Sequence, residues 1–132
     1  MPEFRTLIAE DYEDFRRQLK RMLAEVQCVV VGEATDGLQA VRQAEELQPD
    51  LVLLDLSLPT LNGMEAGRRI RRLSPNSKIV FLSQESSPEI MRAALQMGAL
   101  GYVLKSEAEE LPGALEAVMR GAQFVSSRLR AG

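Results

Sequence analysis

A chain of 132 residues, 45% hydrophobic and 27% charged, is long enough for one domain with its own core and too short for a second full one. A net charge of -3 argues against tight binding to a phosphate backbone, and the absence of histidine removes Ser-His and Cys-His catalysis together with every His-based metal site. The single cysteine, Cys28, excludes an internal disulfide and a thiolate cluster; within the apolar run Cys28-Val29-Val30-Val31 it reads as a buried, inert thiol.

The first residues, Met1 to Leu7, lack a basic stretch leading into an apolar one, and nowhere do about 18 apolar residues run together, so a soluble cytoplasmic chain without membrane contact is expected. Phe4 to Ala9 reads as a first strand. Phe15, Leu19, Met22 and Leu23 then fall at helical spacing, and Cys28 to Val31 forms a second apolar run. Gly37 to Leu47 reads as a helix that Pro49-Asp50 closes; Leu51 to Leu54 is a wholly apolar strand, and Gly63 to Leu73 a helix stopped by Ser74-Pro75-Asn76. Ile79 to Leu82 is a fourth strand. Ser86-Ser87-Pro88 opens a helix striped by Ile90, Ala93, Ala94 and Met97, with Gly98 as its C-terminal stop. Tyr102 to Leu104 and a helix through Leu111, Ala114, Leu115 and Val118 complete five strands alternating with five helices. Such a β-α repeat implies a parallel sheet wrapped by helices, with ligands bound beyond the carboxyl ends of the strands.

The residues at those ends are Glu10 and Asp11 after the first strand, Asp55 after the third, Ser83 after the fourth and Lys105 after the fifth. Each has an ordinary explanation alone: acids favour a helix N-terminus, Asp starts turns, Ser caps helices and Lys populates loops. Their coincidence on one edge is what carries weight. Three crowded carboxylates repel one another unless a cation sits among them, and hard oxygen ligands suit Mg²⁺ or Mn²⁺. Asp55 is then placed as a nucleophile toward a phosphoryl group, with the Lys105 ammonium and the Ser83 hydroxyl available to its oxygens.

Ile8-Ala9-Glu10-Asp11, Leu51 to Pro59, Asn62-Gly63, Leu82-Ser83 and Gly98 to Lys105 together resemble the CheY-like receiver domains of two-component response regulators, over residues 5–121. The resemblance implies a flavodoxin-like, doubly wound five-stranded parallel sheet of order 2-1-3-4-5 with five helices. It implies that Asp55 is the phosphoacceptor, Lys105 the conserved lysine, and Glu10, Asp11, Asp55 and the backbone carbonyl of Ser57 the Mg²⁺ ligands. Ser83 and Tyr102 occupy the switch positions, in which the hydroxyl moves toward the phosphoryl group and the ring swings inward. The phosphoryl donor implied is a sensor histidine kinase, and a homodimer through receiver surfaces is a further expected partner.

Lys105 is followed by Ser106 where many receivers carry proline, which weakens any case for a cis peptide there. The pattern Gly-Ala-Leu-Gly-Tyr-Val-Leu-Lys-Ser is similar to regulators that carry a LuxR-type helix-turn-helix output domain. On that reading residues 1–121 are the receiver and residues 122–132 the start of an interdomain linker or a tail, in an excised receiver or a stand-alone regulator. Promoter binding would belong to the output domain and not to this chain. Gln84 is bulkier than the small residue common after the switch serine, and with Glu85 it is expected to narrow or charge the approach of water and phosphodonor. Two alternatives differ in class. An aspartyl-phosphate phosphatase would carry a second Asp two residues after the nucleophile, where Ser57 stands; a degenerate receiver would act as an unphosphorylated dimerisation or protein-binding module. The preferred reading is a signalling domain that catalyses only its own phosphorylation and autodephosphorylation.

Overall fold

The computed structural model describes residues 3–130; the outermost residues of the expected receiver and tail, 1–2 and 131–132, lie outside the described residues. The strands are β1 (Phe4–Ala9), β2 (Cys28–Ala34), β3 (Leu51–Asp55), β4 (Lys78–Ser83), β5 (Gly101–Leu104) and β6 (Phe124–Val125). They form one parallel sheet of order β2-β1-β3-β4-β5-β6. Helices α1 (Glu13–Leu23), α2 (Gly37–Leu47), α3 (Gly63–Leu73), α4 (Pro88–Gln96), α5 (Leu111–Met119) and α6 (Ser127–Arg130) alternate with them, and a 3₁₀ turn, Lys105–Glu110, precedes α5.

Among the described residues, six strands and six helices therefore replace the expected five of each. The added pair is β6 and α6, both short and within residues 122–132. Phe124 and Val125 are too few for a periodicity to register, and they become a strand because the exposed edge of β5 offers them hydrogen-bond partners.

Alternation along each strand sorts the core into two layers. Leu7, Ala9, Val52, Leu54, Ile79, Phe81, Tyr102 and Leu104 face α2, α3 and α4, while Ile8, Leu51, Leu53, Val80, Leu82 and Val103 face α1 and α5. Burial on both faces explains why β3 reads as a continuous apolar run that ends in a carboxylate. Cys28 is buried beside Met119, with 3.9 Å between the sulfurs, and burial pushes its thiol above the usual value, as expected of an inert cysteine. Among the described residues no helix is long and apolar enough to cross a membrane.

Candidate functional site at the strand ends

Strand order reverses at β1, which lies between β2 and β3, and the reversal opens a crevice at the carboxyl ends of β1 and β3. Glu10 directly follows β1, and Asp55 is the last residue of β3. Both carboxylates therefore enter the crevice, and with Asp11 they offer oxygens that all lie within 4.8 Å of one another. Glu10 is 0% and Asp55 3% exposed, whereas Asp11 faces solvent. The crevice widens into an open pocket of about 480 Å³, lined by these three, by Ser57, Gln84 and Lys105, and by four residues of the β1–α1 segment, Tyr12, Asp14, Phe15 and Gln18.

Local sequence sets the geometry. Asp55 Oδ1 accepts the Ser57 N–H at 3.0 Å in an Asx turn, which leaves Oδ2 to face the Lys105 Nζ at 3.3 Å. The loop after β3 folds tightly because Gly63, held by its N–H to the Leu56 carbonyl at 2.9 Å, lies against the Asp55 backbone, where a Cβ would collide with the Asp55 carbonyl oxygen. Asn62 caps α3 by accepting the Glu65 N–H, so the Asn62-Gly63 pair has a mechanical reason.

Lys105 reaches the crevice from the first position of the 3₁₀ turn. Its Nζ is 2.9 Å from Glu10 Oε1 and lies over the Phe15 ring, 5.1 Å from the centroid. Glu10 Oε2 accepts the Tyr12 N–H at 3.0 Å, while the fully buried Oε1 meets the ammonium charge without an aligned donor. Burial raises the Glu10 carboxyl above the usual range and the Asp55 charge adds to this, against the lowering effects of Lys105 and the Tyr12 N–H. Three clustered carboxylates, two of them against the Lys105 ammonium, with one buried oxygen lacking a directed partner, suit a hard divalent cation.

Ser83 and Tyr102 lie behind this pocket. Ser83 ends β4, is 1% exposed, and its Oγ accepts the Glu85 N–H at 2.8 Å. Tyr102 points inward at 0% exposure and donates its hydroxyl to the Glu85 carbonyl at 2.8 Å. Burial raises the Tyr102 phenol above its usual value, and the nearby Ser83 hydroxyl opposes this. Gln84 lines the pocket as expected, but Glu85 serves the site through its backbone. The Lys105–Ser106 peptide is trans.

Sequence reasoning missed Phe15 and Arg16. The Arg16 guanidinium donates to the Glu10 carbonyl at 2.9 Å and to Glu33 at 3.0 Å, pinning the β1–α1 junction. Phe15 is half-buried as the helical spacing indicated, and its nearness to Lys105 follows from α1 beginning at the carboxyl end of β1.

Residues 6–116 match the family described as the response regulator receiver domain. The chain belongs to that family. The receiver is 38% identical over 125 residues to the nitrate/nitrite response regulator protein NarL of Escherichia coli K12, covering 93% of this chain and 58% of that protein. It is 33% identical over 127 residues to the response regulator GacA of Pseudomonas viridiflava, covering 95% of this chain and 59% of that one. The receiver thus spans somewhat over half the length of these curated relatives. Among solved structures, a LuxR-family two-component response regulator from Aurantimonas sp. SI85-9A1 superposes with a TM-score of 0.87 at 32% identity, covering 98% of this chain and 94% of that one.

Proposed function

We propose that Asp55 accepts a phosphoryl group from the phosphohistidine of a sensor histidine kinase. The resulting change of surface then controls a transcription-regulating, helix-turn-helix output domain of a longer cytoplasmic protein. The observation that carries this reading is the environment of Asp55: one oxygen held by the backbone, the other 3.3 Å from an ammonium, beside Glu10 and Asp11 at the floor of an open pocket. In the step itself an Asp55 carboxylate oxygen bonds to phosphorus as the bond from phosphorus to the donor nitrogen breaks. That electron pair leaves with the imidazole.

Lys105 is positioned to pair with one phosphoryl oxygen. The Ser83 O–H is free to donate to another while its oxygen accepts the Glu85 N–H, and moving fully onto the phosphoryl group exchanges that N–H for the new contact. Glu10, Asp11, Asp55 and the Ser57 carbonyl are the residues that would hold Mg²⁺ or Mn²⁺, which when bound neutralises charge on the transferred group. Tyr102 reports the exchange of Ser83 partners, because both hydroxyls share the Glu85 backbone. The likeness to LuxR-family and NarL-type regulators supports the output assignment.

Intact-mass measurement after incubation with acetyl phosphate and Mg²⁺ tests the reading. Wild type is expected to gain one phosphoryl group and Asp55→Asn none. A folded wild type that gains none would leave the degenerate, unphosphorylated binding module as the better account.

A further inference from the structure

The family match ends at residue 116, yet Phe124 and Val125 add a strand to the sheet and Ser127–Arg130 a short helix after it. The Phe124 N–H donates to the Leu100 carbonyl at 2.9 Å and the Ser126 N–H to the Tyr102 carbonyl at 3.0 Å, so β6 climbs the edge of β5 toward its carboxyl end. Where that ladder stops, the Ser126 hydroxyl takes over. Its Oγ, on a residue 0% exposed, accepts the Leu104 N–H at 2.8 Å.

Ser127 continues the attachment. Its N–H donates to the Glu110 carboxylate at 3.2 Å and its hydroxyl to Glu107 at 3.1 Å. Leu129 is buried in the core layer that contains Tyr102 and Leu104. The 3₁₀ turn Lys105–Glu110 is thereby tied both at its entry, through Leu104, and along its body, through Glu107 and Glu110. Lys105 is the first residue of that turn.

We infer that Ser126 is a positioning residue for the phosphoryl-transfer step, acting through the Val103–Leu104 peptide, one residue before Lys105, to hold the Lys105 ammonium between Glu10 and Asp55. The inference rests on Asp55 being the phosphoacceptor. Its physical basis is that a buried backbone N–H must find an acceptor. Without the Ser126 hydroxyl the Leu104 peptide shifts to find another, and the long Lys105 side chain carries that shift to its end. By reciprocity, a phosphoryl group that draws Lys105 alters the hold on residues 124–130 and on whatever follows them.

The experiment compares Ser126→Ala, Ser126→Thr and Val118→Ala in the full chain, with acetyl phosphate and Mg²⁺ as donor and intact mass as readout. Val118 is a fully buried residue of α5 in the opposite core layer, so its truncation lowers stability without touching this attachment. Ser126→Ala is expected to slow phosphorylation about tenfold or more and to speed hydrogen exchange of the Leu104 amide. Ser126→Thr, which keeps the hydroxyl, restores most of the rate, and Val118→Ala keeps it. Should the alanine variant not fold, Ser126→Cys, whose sulfur is a weak acceptor, makes the same comparison against Ser126→Thr. A variant without the hydroxyl that is phosphorylated at the wild-type rate, or Val118→Ala slowed as much as Ser126→Ala, overturns the inference while leaving the phosphoacceptor reading intact. Wild type that takes up no phosphate overturns both.

Discussion

At the carboxyl edge of the sheet, Glu10, Asp55 and Lys105 turn their charges toward a pocket, whereas Ser83 and Tyr102, on the adjoining strands, turn their hydroxyls onto the backbone of Glu85. The first group leaves a buried carboxylate oxygen without an aligned donor. The second group is satisfied within the protein. The contrast separates two arrangements: on the proposed reading the charged half is preorganised for an incoming cation and phosphoryl group, so its work would be electrostatic and would need little movement. On the proposed reading the hydroxyl half acts by shifting its contacts: the Ser83 oxygen accepts the Glu85 N–H while its O–H is free to donate, and two neutral hydrogen bonds at roughly 1 kcal/mol each are all that a new phosphoryl contact would have to offset.

The largest effect expected from breaking this division is on the charged side. Lys105→Ala removes the ammonium that approaches both Glu10 and Asp55, at 2.9 and 3.3 Å, while leaving the Asp55 carboxylate in place. Phosphorylation by acetyl phosphate is expected to fall by on the order of 10²–10³-fold, the usual cost of deleting a preorganised charge partner of a transferring group. The rate of adduct formation by intact mass measures it. A loss of less than about threefold would show that the charge arrangement is incidental, since it is far below what such a partner contributes.

Much of this charged half was legible in the sequence, and the hydroxyl half less so. A strand buried on both faces must read as apolar, so the change from Leu54 to Asp55 marks the strand end, and the β-α repeat brings Glu10, Asp55 and Lys105 to one edge. The partners of Ser83 and Tyr102 are backbone groups of Glu85, and backbone atoms carry no residue identity. The helical spacing of Phe15 with Leu19, Met22 and Leu23 reports only its apolar neighbours on α1; the Lys105 ammonium is far away in sequence and no period reports it. β6 and α6 were illegible for a third reason. Phe124-Val125 becomes a strand only because β5 presents an open edge, and a two-residue element has no pattern of its own.

A middle-sized effect is expected where the hydroxyl half is trimmed without disturbing its packing. Tyr102→Phe keeps the buried ring and deletes only the bond to the Glu85 carbonyl, so stability in urea should fall by about 1 kcal/mol. Its initial phosphorylation rate should stay close to wild type, because the hydroxyl touches none of the charged residues. Tyr102→Ala should cost about 3–5 kcal/mol, since it empties a fully buried site. A phenylalanine variant that lost phosphorylation outright would join the two halves into one machine and remove the distinction.

The smallest effect separates the neighbours Gln84 and Glu85, whose side chains are both exposed. Gln84 lines the pocket together with Asp55, so on the proposed reading its amide stands on the path by which water would reach a phosphorylated Asp55. Glu85 holds Ser83 and Tyr102 through its N–H and carbonyl, which any residue supplies. Gln84→Ala is therefore expected to change the phosphoryl lifetime by a few-fold. Glu85→Ala should leave it unchanged, and the double variant should match Gln84→Ala alone. Decay of the phosphorylated mass with time gives all three lifetimes in one assay. A lifetime that follows Glu85 instead would place a side-chain charge in a role that the geometry gives to the backbone. Equal lifetimes in wild type and the double variant would remove both residues from the approach to Asp55.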